Sequence, residues 1–205
     1  MMNKNYQSHW QIAGLSIAFV FISGCEWTIA RPTQHSTQNK SAWSLMRQNP
    51  VGLVVMMRHA EAPGTGDPAN FRLDDCSTQR NLSAAGRSQA TRIGSAFRQN
   101  QIAIAQVLSS QWCRCLETAK LLNLGQVKPF PALNSFFQNR RTADQQTNTV
   151  RSLIRSHRTV NGVMVLVTHQ VNITALTGIV PASGEMVILK AQPNGQIEVL
   201  DRLQE

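Results

Sequence analysis

Histidine and arginine stand at the ends of three apolar runs in this chain. VGLVVMM (51–57) gives way to Arg58-His59. IAIAQVLSS (102–110) leads within a few residues to Arg114. VMVLVT (163–168) gives way to His169. Guanidinium forks match the geometry of phosphoryl oxygens and stay protonated. A neutral imidazole can attack phosphorus and hold the group covalently, which splits one displacement into two. Phosphoryl transfer is catalysed mostly by positioning and charge stabilisation. These four side chains therefore suit the capture and transfer of a phosphoryl group, provided the fold brings them together.

The elements around them set the expectation that it does. The near-continuous apolar runs read as strands covered on both faces. Between them lie helical stretches. Ser83 is an N-cap for AAGRSQATRIGSAFRQN, where Ala90, Ile93 and Phe97 keep helical spacing. WCRCLETAKLLNLG (112–125) is helical with Gly125 as its stop, and Val150, Leu153, Ile154 and His157 mark one face of a further helix. NITALTG (172–178) is a short helix. GEMVILKA (184–191) and QIEVLDRL (196–203) form a terminal hairpin across QPNG. The alternation predicts a three-layer α/β/α sandwich with a mostly parallel central sheet and an antiparallel edge. In such sheets ligands sit beyond the carboxyl ends of the strands.

VVMMRHAEAPG resembles the Arg-His-Gly signature of the histidine phosphatase superfamily, with its phosphoglycerate mutase-like fold. NLSAAGRSQATRIG (81–94), SSQWCRCLETAKLL (109–122) and LVTHQVNITALTG (166–178) are similar to the family's following segments, in the same order. The resemblance implies that His59 is the nucleophile and becomes a phosphohistidine. It implies that Arg58 and Arg114 bind phosphoryl oxygens and that His169 completes the pocket, with no metal and no organic cofactor. Ala60 stands where the family usually has Gly.

The chain departs from the family at the group that protonates the leaving oxygen. Acid-phosphatase-like members carry Asp directly after the second histidine; here it is Gln170. Mutase-like members use a Glu in a region that here reads PALNSFF (131–137), without a carboxylate. Glu61 and Glu185 are the candidate general acids, with Asp67 and Asp144 as further possibilities. Without an acid, activated leaving groups are favoured over alkyl phosphates. The loop APGTGDPANFRLDDCSTQRN (62–81) reads as a lid or pocket wall, where Arg72 and Arg80 could meet a second anionic group.

The N-terminus reads as an export signal. One cation, Lys4, precedes the apolar run IAGLSIAFVFI (12–22), which is short for a membrane span. Ile22-Ser23-Gly24-Cys25 looks like a lipobox, which would make Cys25 the lipidated N-terminus of a membrane-anchored lipoprotein. A plain cleavable signal and an uncleaved anchor are the alternatives. The expected organisation is a signal over 1–25, a polar tether over 26–50 and a histidine phosphatase domain over 51–205, with Trp43, Leu45 and Met46 able to dock as a short helix. Of four cysteines, Cys76 pairs with Cys113 or Cys115 in an oxidising compartment; a zinc site lacks the CxxC spacing. His157 reads as a surface residue.

The net charge of +9 favours anionic partners, while dispersed arginines and few aromatics give nucleic-acid binding no support. The function expected is a cell-envelope, periplasmic phosphatase acting on a phosphorylated small molecule or envelope substrate. The alternative is a weak or inactive lipoprotein that binds a phosphoryl ligand without turnover. The oligomeric state is not encoded in these patterns.

Overall fold

The computed structural model describes residues 34–205, with side chains from residue 41 onward. The signal, Cys25 and the first part of the segment read as a tether lie outside the described residues. Elements run in the order α1 (Gln34–Gln48), β1 (Leu53–Arg58), α2 (Ala84–Gln99), β2 (Ile104–Ser109), α3 (Cys113–Leu122), β3 (Val127–Pro129), α4 (Ala143–Ser156), β4 (Val163–Thr168), α5 (Gln170–Thr177), β5 (Met186–Ala191) and β6 (Ile197–Leu203). The strands form one sheet in the order β3-β2-β4-β1-β5-β6. β3, β2, β4 and β1 are parallel, and the β5–β6 hairpin closes the sheet as an antiparallel edge.

Alternation along the central strands sends side chains to two cores. Leu53, Val55 and Met57 pack on one face with Ile93 and Phe97 of α2 and Cys115 and Leu122 of α3. Val54 and Met56 pack on the other with Val150 and Ile154 of α4 and Ile173 of α5. The three-layer α/β/α arrangement is thus a direct consequence of strands that are apolar on both faces.

The expected tether gives way to structure from residue 34. The heptad-like spacing of Ala42, Trp43 and Met46 gives α1 an apolar stripe. All three are buried, Met46 and Ala42 completely, and the Trp43 ring meets Phe97 edge-on at 5.0 Å. The folded domain therefore begins upstream of residue 51. His157 is likewise not a surface residue. It is buried, with Nε2 3.0 Å from Gly162 O, because α4 ends there against the turn that starts β4. α3 stops before Gly125: Asn123 takes the left-handed conformation at φ 50° and ends the helix.

Two glycines of AAGRSQATRIG set the depth of α2. A Cβ on Gly86 would lie 2.0 Å from Glu61 O, and one on Gly94 would lie 2.0 Å from Leu122 O. α2 can thus press against both the loop after β1 and the end of α3. The cap is as expected: Ser83 Oγ accepts from Gly86 N at 2.9 Å.

Candidate active site

Register places the two histidines. β1 pairs with β4 so that Arg58 faces Thr168. The next residue of each strand, His59 and His169, therefore emerges at the same level on neighbouring parallel strands, and their rings stand 5.5 Å apart. β2, on the other side of β4, ends at Ser109 opposite Val167 and delivers Arg114 from the first turn of α3. Arg58, His59, Arg114 and His169 all line one pocket of about 130 Å³ at the carboxyl end of the sheet. The four residues singled out in the sequence converge.

His59 is buried, and its Nδ1 lies 2.8 Å from Ala60 O. A carbonyl only accepts, so Nδ1 carries the hydrogen and Nε2 keeps its lone pair. Burial pushes the imidazole pKa down to about 3. The Ala60 hydrogen bond works the other way, and Arg114, Arg80 and Arg58 lower it further. The ring is a neutral base with a free nitrogen, as a nucleophile requires. Behind it, Gln89 of α2 accepts from Glu61 N at 3.0 Å and donates to Ser183 O at 2.9 Å, clamping the loop after β1 to the loop before β5. Ala60 is wholly buried and its N–H donates to Thr118 Oγ1 at 3.1 Å, so a small residue suffices at this position.

His169 is buried between Trp112, edge-on at 5.5 Å, and Cys115 Sγ, 3.4 Å from its Nε2. Its Nε2 also lies 2.8 Å from Ser110 Oγ. Burial first, then His59 and the three arginines, hold it well below the usual histidine pKa. Asn134, in the segment PALNSFF that carries no carboxylate, supports this corner. Its Oδ1 accepts from Gln111 N at 2.8 Å and from Ser110 Oγ at 3.3 Å.

Arg114 is fixed by a residue whose role the sequence left open. Asp67 accepts end-on, Oδ1 from Nη1 at 2.7 Å and Oδ2 from Nη2 at 3.0 Å, with both side chains about 95% buried. Arg80 N and Trp112 Nε1 donate to the same carboxylate at 3.1 and 3.0 Å. Burial opposes the charge on Asp67, but the Arg114 pairing and these donors outweigh it and hold the carboxyl below its usual range. The other edge of the guanidinium remains. Arg114 Nε is buried without a hydrogen-bond partner, as is Arg58 Nε, whose Nη1 is held by Pro181 O at 2.9 Å. Buried unpaired donors are costly and call for a ligand.

Arg80 joins them on the pocket wall, tied to the loop through Nε to Gly66 O at 2.8 Å and through Nη1 to Ala62 O. Three guanidiniums, two neutral imidazoles and one carboxylate make a pocket of net charge +2. Arg72 is elsewhere, exposed and paired with Asp75.

The expected acids are not in the pocket. Glu61 Oε2 accepts from Ser83 Oγ at the start of α2. Glu185 is buried but turned to Ala182 N at 2.7 Å and Arg202 Nε at 2.6 Å. Each is consumed by a backbone or side-chain donor of its own neighbourhood. Asp144 lies in the first turn of α4 and does not line the pocket. Among the described residues, Asp67 is the carboxylate on the pocket wall, and Gln170 and Gln138 are its neutral neighbours. The Cys76–Cys113 disulfide joins the loop carrying Asp67 and Arg80 to the residue before Arg114, while Cys115 stays a buried thiol. No cluster able to hold a metal ion occurs among the described residues.

Residues 54–136 match a family model described as the histidine phosphatase superfamily, branch 1. No curated protein matches the chain. Among solved structures, the fold is similar to the protein histidine phosphatase SixA complexed with tungstate, at 14% identity and TM-score 0.54, covering 74% of this chain and 96% of that one. It is similar to a mycobacterial glucosyl-3-phosphoglycerate phosphatase at 17% identity and TM-score 0.53, over 74% and 99%. A phosphoserine phosphatase mutant from Entamoeba histolytica, in complex with phosphoserine, aligns at 12% identity and TM-score 0.53, over 73% and 95%. The chain has the fold of these enzymes, and its residues 54–136 carry the sequence pattern of the histidine phosphatase superfamily model.

Proposed function

We propose that this protein is a cell-envelope phosphatase that works through a phosphohistidine at His59. The observation that carries the reading is the pair of buried, unpartnered Nε–H donors of Arg58 and Arg114 in the pocket that also holds the free Nε2 of His59. The guanidinium edges take the phosphoryl oxygens. Nε2 attacks phosphorus, the P–O bond to the leaving group breaks, and the N–P bond forms. Water then attacks phosphorus, the N–P bond breaks, and phosphate and neutral His59 are regenerated. His169 contributes a hydrogen-bonding ring beside the transferring group.

Asp67 orients Arg114 and stays ionised, so the leaving oxygen departs on its own acidity. This favours aryl or acyl leaving groups or a hemiacetal over a simple alcohol, and equally the neutral imidazole that leaves when the P–N bond of a protonated phosphohistidine breaks. The envelope location rests on the signal and lipobox pattern ending at Cys25, and the disulfide is in keeping with an oxidising compartment.

The experiment uses the full chain and p-nitrophenyl phosphate. Turnover should be accompanied by trapped phosphohistidine and should vanish in His59→Ala. The kcat/KM for the aryl ester should exceed that for hexose 6-phosphate by about 10²-fold or more. Phosphate binding without turnover would instead identify a binding protein, and equal kcat/KM values would show that an acid is at work.

A further inference from the structure

A second cavity, of about 660 Å³, opens beside the phosphoryl pocket and shares Trp112, Ser135 and Gln138 with it. Its walls come from the segment after β3, including Phe130 and Pro131, and from the first turns of α4, including Gln145 and Thr149. No charged side chain lines it, in a chain whose net charge is +9. Its polar groups are amides and hydroxyls, which both donate and accept. Some are spent on the fold: Gln146 donates to Asn134 O at 2.7 Å and accepts from Thr142 Oγ1 at 2.6 Å. Others are available. Gln145 is exposed, Asn139 uses its oxygen on Arg141 N and keeps its amide hydrogens, and Gln138 donates to Asp67 O and keeps its carbonyl.

The chemistry of these walls selects the occupant. A second phosphate, an acidic peptide or a nucleotide would need a cation, and the lining has none. An acyl chain would need an unbroken apolar surface, and amides interrupt it. A sugar presents hydroxyls that donate and accept, and C–H faces that pack on rings such as those of Trp112 and Phe130. We propose that this groove binds the carbohydrate portion of a phosphorylated glycan whose phosphoryl group enters the neighbouring pocket. The second half of that statement rests on the phosphatase reading; the groove itself does not. With Asp67 held ionised by Arg114, a phosphate on the anomeric carbon suits the site best, because a hemiacetal oxygen leaves more readily than an ordinary alkoxide.

Two measurements on the full chain separate the groove from the chemistry. The first compares glucose 1-phosphate with maltotriose 1-phosphate, which share the same leaving atoms. KM should fall about tenfold with the longer glycan while kcat stays within about twofold, as one or two added hydrogen bonds would give. Gln145→Glu should remove that gain. The second is NMR titration of the His59→Ala chain with maltotriose, in which the side-chain amides of Gln138, Asn139 and Gln145 should shift. Equal KM values for the two phosphates, or a gain that survives Gln145→Glu, would overturn the proposal, as would amide signals that maltotriose leaves unmoved. Shifted amides in the His59→Ala chain, together with an unsubstituted chain that fails to turn over p-nitrophenyl phosphate, would refute the phosphatase reading and leave the groove standing.

Discussion

Replacing Asp67 by Asn tests whether the carboxylate orients Arg114. Each oxygen of Asp67 accepts from two donors: Oδ1 from Arg114 Nη1 and Arg80 N, Oδ2 from Arg114 Nη2 and Trp112 Nε1. An amide can accept on one side only, and its NH2 would then face two donors on the other. It also leaves Arg114 uncompensated in a nearly closed site. Breaking a buried pair from one side costs about 3 kcal/mol or more. For a domain of this size that is a fall in Tm of about 6–12 °C. The pocket charge rises from +2 to +3, so added phosphate or vanadate should restore more Tm to the variant than to the wild type. Because Asp67 has its folded pKa depressed, the ion pair stabilises the fold above the unfolded carboxyl pKa, about 4, and this is lost as the pH falls through the folded value. The Tm gap should hold from pH 8 to 5 and narrow below about 4. In steady-state assays kcat should drop about tenfold or more from the loss of orientation while KM does not rise. A Tm gap under about 2 °C at pH 7, or a rise in KM with kcat intact, would refute the positioning role.

Three further outcomes are expected. Both pocket histidines fold with lowered pKa values, and the buried His157 is lowered in the same direction, so unfolding takes up protons as the pH falls below about 6.5; urea unfolding should lose about 2 kcal/mol per pocket imidazole between pH 7 and 5, and His59→Ala should remove that one share of the slope. Met46→Ala, at a fully buried position of α1, should cost about 2–5 kcal/mol in the same assay, whereas a tether residue would cost nothing measurable. Replacing Cys76 and Cys113 with Ser opens a loop of sequence separation 37 and should lower stability by about 4 kcal/mol on the chain-entropy account, with a fall in kcat from the loosened Asp67 loop.

Much of this site could be read before any coordinates. The apolar runs over 51–57, 102–110 and 163–168 identify strands covered on both faces, and Arg58, His59 and His169 follow them directly, so a parallel sheet must place them at one edge. The Ser83 cap, the terminal hairpin and the resemblance of four segments in order are likewise local or serial patterns. The segment 34–48 was less legible, since its mean composition is polar and only the spacing of Ala42, Trp43 and Met46 reveals a face. His157 and the end of α3 were misplaced because burial of one turn depends on what packs over it.

Composition and order along the chain thus determined the sheet, the two imidazoles and the arginine beside them, because strand periodicity and strand ends are properties of neighbouring residues. Which carboxylate enters the pocket was decided only in three dimensions. Glu61 is two residues from His59 yet bonds to Ser83, while Asp67 crosses a glycine-rich loop to meet Arg114, 47 residues on. The path of such a loop is set by the partners at its far end, a guanidinium on one helix and a disulfide to the same helix, and no local pattern carries that information.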